Sequence, residues 1–179
     1  MDTIITKWVV DSTHSRILFK VKHLMITNLK GEFTDFRLEA QSEGTKFIAD
    51  SIKLNIDASS VFTNNDDRDN HLRSPDFFDV DVFKEITFSG SSIKKIDDND
   101  FELTGLLSIK GIVHEITLDV EFGGIIRDSW GNEKTGFSLR TKINRKDWGL
   151  SWNESLDAGG VLIGNEVRIT AEIQFVNVS

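Results

Sequence analysis

The sequence predicts a single all-β domain, built as one antiparallel barrel of about eight strands. Apolar and polar residues alternate with a period of two along most of the chain, which is typical of strands that bury one face. Several long strands are joined by short polar turns such as 97–100, which favours a meander that curls and closes on itself. The sequence shows no linker, repeat or low-complexity tract, so residues 1–179 are expected to form one domain.

The alternation predicts nine strands in chain order. In the second, Ile17, Phe19 and Val21 share one apolar face, and the pattern then breaks at the apolar run Leu24–Ile26. We expect this run either to line the barrel where the strand bends or to pack beneath a loop. The predicted strands are 8–11, 16–22, 33–40, 48–57, 85–91, 101–110, 115–123, 134–144 and 166–176.

A short helix is predicted within residues 62–75. Asn64 or Asn65 can cap its start, and aspartates in its first turns favour it through the helix dipole. Pro75 is expected to end it.

A second, single helical turn is predicted over residues 144–150. It is expected to tuck Trp148 inward, so that Trp148 and Trp152 either close one end of the barrel or line its interior. The loop around Trp130 and Gly131 is predicted to be a hairpin turn and not a phosphate site, because no helical pattern follows it.

Composition narrows the function classes. A net charge of −8, from 21 basic and 29 acidic residues, argues against a nucleic-acid-binding face and against adsorption on anionic membranes. Without cysteine, the chain has no disulfide, thiolate nucleophile or cysteine-ligated metal. The first residues lack the features of a signal peptide, and no segment is apolar for long enough to span a bilayer. These features predict a cytoplasmic protein without stable membrane insertion.

The interior of the predicted barrel is almost wholly apolar, and two alternatives follow. The apolar side chains can fill the barrel as an ordinary core, or they can line a tunnel for an apolar ligand. Thirteen Phe and four Trp with no Tyr indicate a dry interior in either case. Taken alone, the composition favours the filled barrel.

Several stretches resemble the YceI-like family of lipocalin-like polyisoprenoid-binding proteins. They are WVVDSTHSRILFKVKHLMITNLKGEF, DDRDNHLRSPDFFDV, ITFSG, LTGLLSIKGIVHEITLDV and NRKDWGL, in the family's order. The resemblance implies an eight-stranded antiparallel lipocalin-like barrel with one or two short helices and an interior apolar tunnel. It also implies non-enzymatic binding of an isoprenoid lipid, such as a polyprenyl chain or a quinone tail, with no cofactor and with a possible homodimer. Many members are exported, whereas this chain lacks a leader.

On this resemblance, the inward faces of the strands and one residue after the helix supply the expected ligand-binding wall. Arg68 and His71 are candidates to hold a polar head group at the tunnel mouth. The alternative for Arg68 is a salt bridge to Asp69 that pins the helix to the barrel. The expected wall residues are Ile17, Phe19, Val21, Phe36, Phe78, Phe88, Leu107, Phe122, Phe137, Ile169 and Phe175.

No catalytic or metal-binding residue is predicted. The four histidines have no metal-binding spacing, and Asp11, His14 and Ser15 are too close in an extended chain to form a catalytic triad. We expect these three to hydrogen-bond within a turn. An enzyme acting on a lipid or quinone would instead require carboxylate and histidine side chains with perturbed pKa values inside the tunnel. A ligand-free stress or scaffold protein would require a fully packed interior.

Overall fold

A computed structural model describes residues 4–156 and 161–179, and within them twelve strands form one sheet. One α-helix, α1, spans Asp66–Arg73, and short 3₁₀ turns lie at Ser12–His14, Ala49–Ser51, Ala58–Ser60 and Arg145–Trp148. The strands are β1 Ile5–Val10, β2 Arg16–His23, β3 Thr27–Phe33, β4 Phe36–Glu43, β5 Lys46–Phe47, β6 Lys53–Asp57, β7 Val61–Phe62, β8 Glu85–Lys95, β9 Asp100–Ile109, β10 Ile112–Arg127, β11 Glu133–Asn144 and β12 Ile163–Asn177.

Eight of these strands close into an antiparallel barrel, in the order β1, β4, β6, β8, β9, β10, β11 and β12. The ring closes where β1 pairs with β12, from Trp8 opposite Asn177 to Val10 opposite Phe175. This confirms the predicted fold class. Closure pairs the backbone groups of both terminal strands, which would otherwise be sheet edges.

The edge of β12 is shared between two strands. The last residues of β12 pair with β1. The longer first part of β12 pairs with β2, from Ile163 opposite His23 to Glu172 opposite Arg16. Between β1 and β2 the chain makes a 3₁₀ turn, and the Asp11 carboxylate there accepts hydrogen bonds from the Thr13 N–H and hydroxyl. The expectation of a hydrogen-bonded turn is confirmed for Asp11 and His14, which contact each other at 2.8 Å. It is wrong for Ser15, whose hydroxyl accepts from the Gln174 N–H of β12.

The predicted strand 33–40 is wrong, because the structure has two strands there. The break lies at Thr34 and Asp35, whose backbone groups leave the ladder. The Thr34 N–H donates to Ser60 O, and Asp35 O accepts from the Asp57 N–H. The first of the two strands, β3, forms a hairpin with β2 that the sequence pattern did not reveal.

The hairpin between β2 and β3 also corrects the expectation for the apolar run Leu24–Ile26, which forms its turn. Leu24, Met25 and Ile26 are 38%, 54% and 76% exposed, so they neither line the barrel nor pack beneath a loop. Leu24 and Met25 both have left-handed backbone conformations, with φ of 54° and 60°.

The predicted helix is confirmed as α1, and Asn65 is its cap, because its side chain accepts from the Arg68 N–H. The expected salt bridge between Arg68 and Asp69 is wrong. Both side chains bind Thr63 instead: the Thr63 N–H and hydroxyl donate to the Asp69 carboxylate, while Arg68 Nε donates to the Thr63 hydroxyl at 2.8 Å. Asp69 is 3% exposed, so the helix start is fixed by a buried carboxylate.

The second predicted turn is confirmed over Arg145–Trp148, and its arginine is buried. The Arg145 guanidinium donates to the carbonyl oxygens of Gly164 at 2.8 Å, Leu150 at 2.5 Å and Trp152 at 2.9 Å. Within residues 4–156 and 161–179, no carboxylate lies within 4.0 Å of it. Burial lowers the pKa of Arg145 from its usual value, but an arginine stays charged. The side chain therefore ties the β11–β12 connection to the barrel through backbone carbonyls.

In the part of the chain that the structure describes, no helix has the length and apolar character needed to cross a bilayer.

Replacing Arg145 with Met should destabilise the fold by about 3 kcal/mol, because several buried carbonyls lose their donor. Arg140→Met is the matched control, since Arg140 is exposed and lies on the same strand-and-turn segment. Urea denaturation of both variants measures the difference. Equal stability of the two variants would contradict the structural role of Arg145.

The turn between β1 and β2 should contribute stability that depends on pH. Hydrogen bonds from Thr13, followed by His14, lower the pKa of Asp11. A carboxylate with a lowered pKa stabilises the fold above its unfolded value near 3.8, and this contribution is lost as the pH falls through the folded value. Asp11→Asn should therefore reduce stability by under about 1 kcal/mol at neutral pH and by less at acidic pH. Thermal denaturation as a function of pH tests this; an equal loss at every pH would contradict it.

Candidate functional site

The barrel encloses a cavity of about 590 Å³ that runs along most of its length. Lys46 and Lys95 lie at one end of its wall, and Arg145 and Leu150 lie at the other. This volume falls in the range of small-molecule sites in proteins, roughly 300–1,000 Å³. The structure therefore contradicts the alternative of a filled barrel.

The structure brings most of the expected wall residues together around this cavity. Phe36 is the exception: it is buried in the core but does not line the cavity. It opens β4 on the same face as Leu38 and Ala40, which do line the cavity, so the predicted face is right although the side chain is not part of the cavity wall. The ten expected residues that line the cavity are Ile17, Phe19, Val21, Phe78, Phe88, Leu107, Phe122, Phe137, Ile169 and Phe175.

Two of the wall's phenylalanines lie flat against glycines of neighbouring strands. Phe19 lies opposite Gly31, and a Cβ built on that glycine would fall 2.3 Å from the end of the ring. A Cβ built on Gly105 would fall 2.4 Å from the end of the Phe88 ring and also 2.4 Å from the backbone oxygen of Ser89. A larger residue at position 31 would push the Phe19 ring toward the cavity, and one at position 105 would displace both the Phe88 ring and the neighbouring strand. The two glycines therefore keep the interior open.

An aromatic cluster that sequence analysis missed lies at one end of the cavity. Phe47, in the two-residue strand β5, lies at its centre, with ring centroids 4.9 Å from Phe137 and 6.1 Å from Trp8. Trp8 is 1% exposed, and its indole N–H donates to the Ser42 hydroxyl at 2.8 Å. A two-residue strand has no alternation to recognise, so the only signal was a phenylalanine beside the turn at Gly44.

The wall carries few polar side chains, and they concentrate near its ends. Among the described residues that line the cavity there is no carboxylate and no histidine. An apolar chain can bind along such a wall, but the paired acid and base that the enzyme alternative requires are not on it. The polar side chains of the wall are those of Thr45, Lys46, Lys95, Thr141 and Arg145.

The two head-group candidates lie off this wall. Arg68 is held by Thr63, whose carbonyl oxygen accepts from its guanidinium at 2.6 Å. His71 makes a 2.9 Å contact with Asp76, and its ring meets Trp152 edge-on at 4.5 Å. A role in binding a head group stays a prediction for both residues.

The two C-terminal tryptophans also lie off the cavity wall. Trp148 is 3% exposed and donates from its indole N–H to Leu107 O at 2.9 Å, so it packs in the core beside the barrel's end. Trp152 packs against His71 and Phe77. Trp130 is 84% exposed in a hairpin turn whose backbone N–H groups donate to Asp128, as expected.

No group of three potential ligands among His, Asp and Glu is arranged to hold a metal ion within residues 4–156 and 161–179.

Comparisons with known proteins agree on one family. The sequence model of the YceI-like domain matches residues 8–175. A UPF0312 protein of Staphylococcus epidermidis is 39% identical over 171 residues, which cover 95% of this chain and 97% of that protein. The crystal structure of the Campylobacter jejuni YCEI protein is 32% identical, with a TM-score of 0.75 over 88% of this chain and 90% of that one.

A more distant structural neighbour shares the fold. The polyisoprenoid binding domain from Saccharophagus degradans has a TM-score of 0.67 at 16% identity, over 95% of this chain and 98% of that one. At this identity the likeness shows the fold alone.

Gly31→Ala should narrow the cavity with little loss of stability, because the added methyl group meets only the end of the Phe19 side chain, which can turn inward. The affinity for an apolar fluorescent dye should fall by about tenfold, the equivalent of roughly two methylene groups of lost burial. Adding Phe19→Leu should restore it. Unchanged dye affinity in Gly31→Ala would contradict this account of the open interior.

Proposed function

The chain belongs to the YceI-like family, and on that premise we propose that it binds the chain of an isoprenoid-type lipid inside its barrel. The ligand would be a polyprenyl chain or the tail of a quinone. The protein would carry or sequester this lipid without altering it chemically. The observation that supports the proposal is the apolar cavity of about 590 Å³ along the barrel axis.

The energetics of such a site require no specific polar contact with the tail. Each methylene group removed from water contributes roughly 0.8 kcal/mol, so one five-carbon unit contributes at most about 4 kcal/mol before the cost of ordering the chain. A few such units give tight binding. The flat rings of Phe19 and Phe88 on the wall offer broad surfaces against which a branched, unsaturated chain packs well.

The isoprenoid class is the finer part of the proposal. A neighbour of the same fold is described as polyisoprenoid-binding, and this motivates the choice of probe. The polar side chains near the ends of the wall favour a ligand with a long apolar body and a polar group at one end.

The proposed role is non-enzymatic. The cavity wall supports this part of the proposal, because its described residues offer lysine and arginine but no carboxylate or histidine to pair with them. A homodimer stays a prediction.

Protein purified from its own cells should contain a stoichiometric isoprenoid lipid. Extraction into organic solvent followed by mass spectrometry identifies it. An empty extract, from protein that also fails to take up polyprenyl or quinone lipids in vitro, would overturn the proposal. If the extract contained a stoichiometric amount of another class of lipid, the proposal of lipid binding would stand and the proposal of an isoprenoid ligand would be rejected.

Filling the cavity should abolish uptake of the lipid. Ala171 lies on the wall, and Thr170 is the next residue of β12 on the outer face. Ala171→Trp should reduce affinity for a short polyprenol by at least about a hundredfold, because the indole displaces several methylene groups of ligand. The matched variant Thr170→Trp should bind as the wild type does. Circular dichroism verifies that both fold, and equal loss in both would refute binding inside the barrel.

A further inference from the structure

The tip of the β2–β3 hairpin is apolar, exposed and strained. Leu24 and Met25 occupy consecutive left-handed positions, φ 54° and 60°, at the centre of a turn that the Ile26 N–H closes by donating to His23 O, and Asn-Gly is the pair that usually adopts this conformation. β-Carbon sterics disfavour this conformation for both residues. Ile26, which follows, is 76% exposed. A hairpin turn has no folding requirement for three exposed apolar side chains, and the turn would be more stable without them.

A row of four cations crosses the outer face of the sheet beside this tip. Lys30 lies directly opposite Lys20, Lys20 opposite Arg168, and Arg168 opposite Lys142. Like charges in cross-strand positions destabilise a sheet. Arg168 has a carboxylate partner, Glu166, at 3.4 Å. Within residues 4–156 and 161–179, the three lysines have none within 4.0 Å.

This row is local and runs against the charge of the whole chain, which is −8. A fifth cation, Lys22, is exposed and lies between the row and the tip. An apolar tip followed by a band of cations has the same order as the layers of an anionic bilayer, in which the hydrocarbon lies beneath the charged head groups.

We propose that this hairpin docks the protein reversibly on an anionic lipid bilayer. Leu24, Met25 and Ile26 enter the boundary of the hydrocarbon, and the cations face the head groups. Leu24 follows Lys20 by four positions, which corresponds to about 13 Å along a strand. The head-group layer is roughly 5–8 Å thick. Lys22 therefore reaches into this layer, and the row lies within about one Debye length, ~8 Å, of its outer surface.

The net negative charge of the chain does not oppose this arrangement at short range. Screening limits the repulsion from distant carboxylates, while the cations nearest the surface are attracted to it. The result is weak, oriented docking and not stable insertion. This agrees with the expectation of no stable membrane insertion, and it departs, for this one face, from the expectation that a chain of net charge −8 does not adsorb on anionic membranes.

The position of the hairpin connects docking to the cavity. Val21 and Leu29 face each other across β2 and β3, and both line the cavity. They lie three residues from Leu24 and Ile26. The tip therefore lies next to the cavity wall, with one cross-strand pair, His23 and Thr27, between them. A bilayer held at the tip would bring a lipid tail close to the interior of the barrel. The transfer of a lipid tail into the barrel rests on the proposed function, whereas docking on the bilayer is measured separately.

Flotation with vesicles tests the docking. Wild-type protein should bind vesicles that contain phosphatidylglycerol and should bind pure phosphatidylcholine vesicles much more weakly, with added salt reducing the difference. The double variant Leu24→Asn and Met25→Gly should bind at least about tenfold more weakly, because the apolar contact is lost. Its melting temperature should not fall, since Asn-Gly is the preferred turn. A merely structural role for the tip predicts no loss of vesicle binding.

Two further variants separate this surface from other parts of the chain. Lys20→Gln and Lys30→Gln should each weaken binding to phosphatidylglycerol vesicles by about fivefold. Trp130→Asn is the matched control, because Trp130 is an apolar residue at a different hairpin turn and is 84% exposed. Loss of binding in Trp130→Asn alone, equal binding to both kinds of vesicle, or no vesicle binding at all would overturn the proposal. The proposal would also be overturned if the Leu24→Asn, Met25→Gly double variant bound vesicles as well as the wild type does. The same holds if the only effect of this double variant were to convert a dimer to a monomer.

The same variants distinguish failure of docking from failure of lipid binding. Uptake of a short polyprenol from detergent solution bypasses the bilayer, so it should be unchanged in the Asn-Gly and lysine variants. Uptake without vesicle binding would reject the docking surface and keep the proposed function. Vesicle binding without polyprenol uptake would keep the docking surface and reject the proposed function.

Discussion

The open interior of this barrel depends on where its largest side chains lie. Phe19 and Phe88 lie along the wall, each over a glycine of an adjacent strand. A ring lying on a glycine takes the space that a β-carbon would occupy, so it covers the backbone and leaves the axis free. A barrel of eight strands is only wide enough for its own side chains or one small ligand. The direction of a few rings therefore decides between a packed core and a binding site.

Different physical interactions act at the two ends of the cavity. At one end, rings pack around Phe47, and the attraction is dispersive. At the other end, Arg145 donates to carbonyl oxygens on both sides of the β11–β12 connection, those of Trp152 and Gly164. Buried carbonyls need a donor, and an arginine with five N–H groups supplies several at once. Removal of this one side chain therefore removes all of these bonds together.

Strand β2 links the inside of the barrel to its outside. Successive side chains on a strand point to opposite faces, so Phe19 and Val21 form the wall of the cavity while Lys20 and Lys22 face solvent. The same short segment thus carries both the apolar lining and the cationic surface, and its hairpin places an apolar tip next to both. Strain at Leu24 and Met25 belongs to this tip, and strained backbone conformations often mark functional positions.

The sequence by itself determined most of the long strands and which face of each points inward, because a period of two is a local property that neighbouring residues set. It did not reveal β3 as a separate strand or the two-residue strand β5. Only the tertiary structure decided what depends on distant partners. It left Phe36 off the cavity wall, brought Phe47 into the aromatic cluster, and gave Arg68 and Asp69 a common partner instead of each other. It also left the β2–β3 tip in solvent. Depth, pairing and exposure arise when the ring of strands closes, and the spacing of residues along one strand contains no information about them.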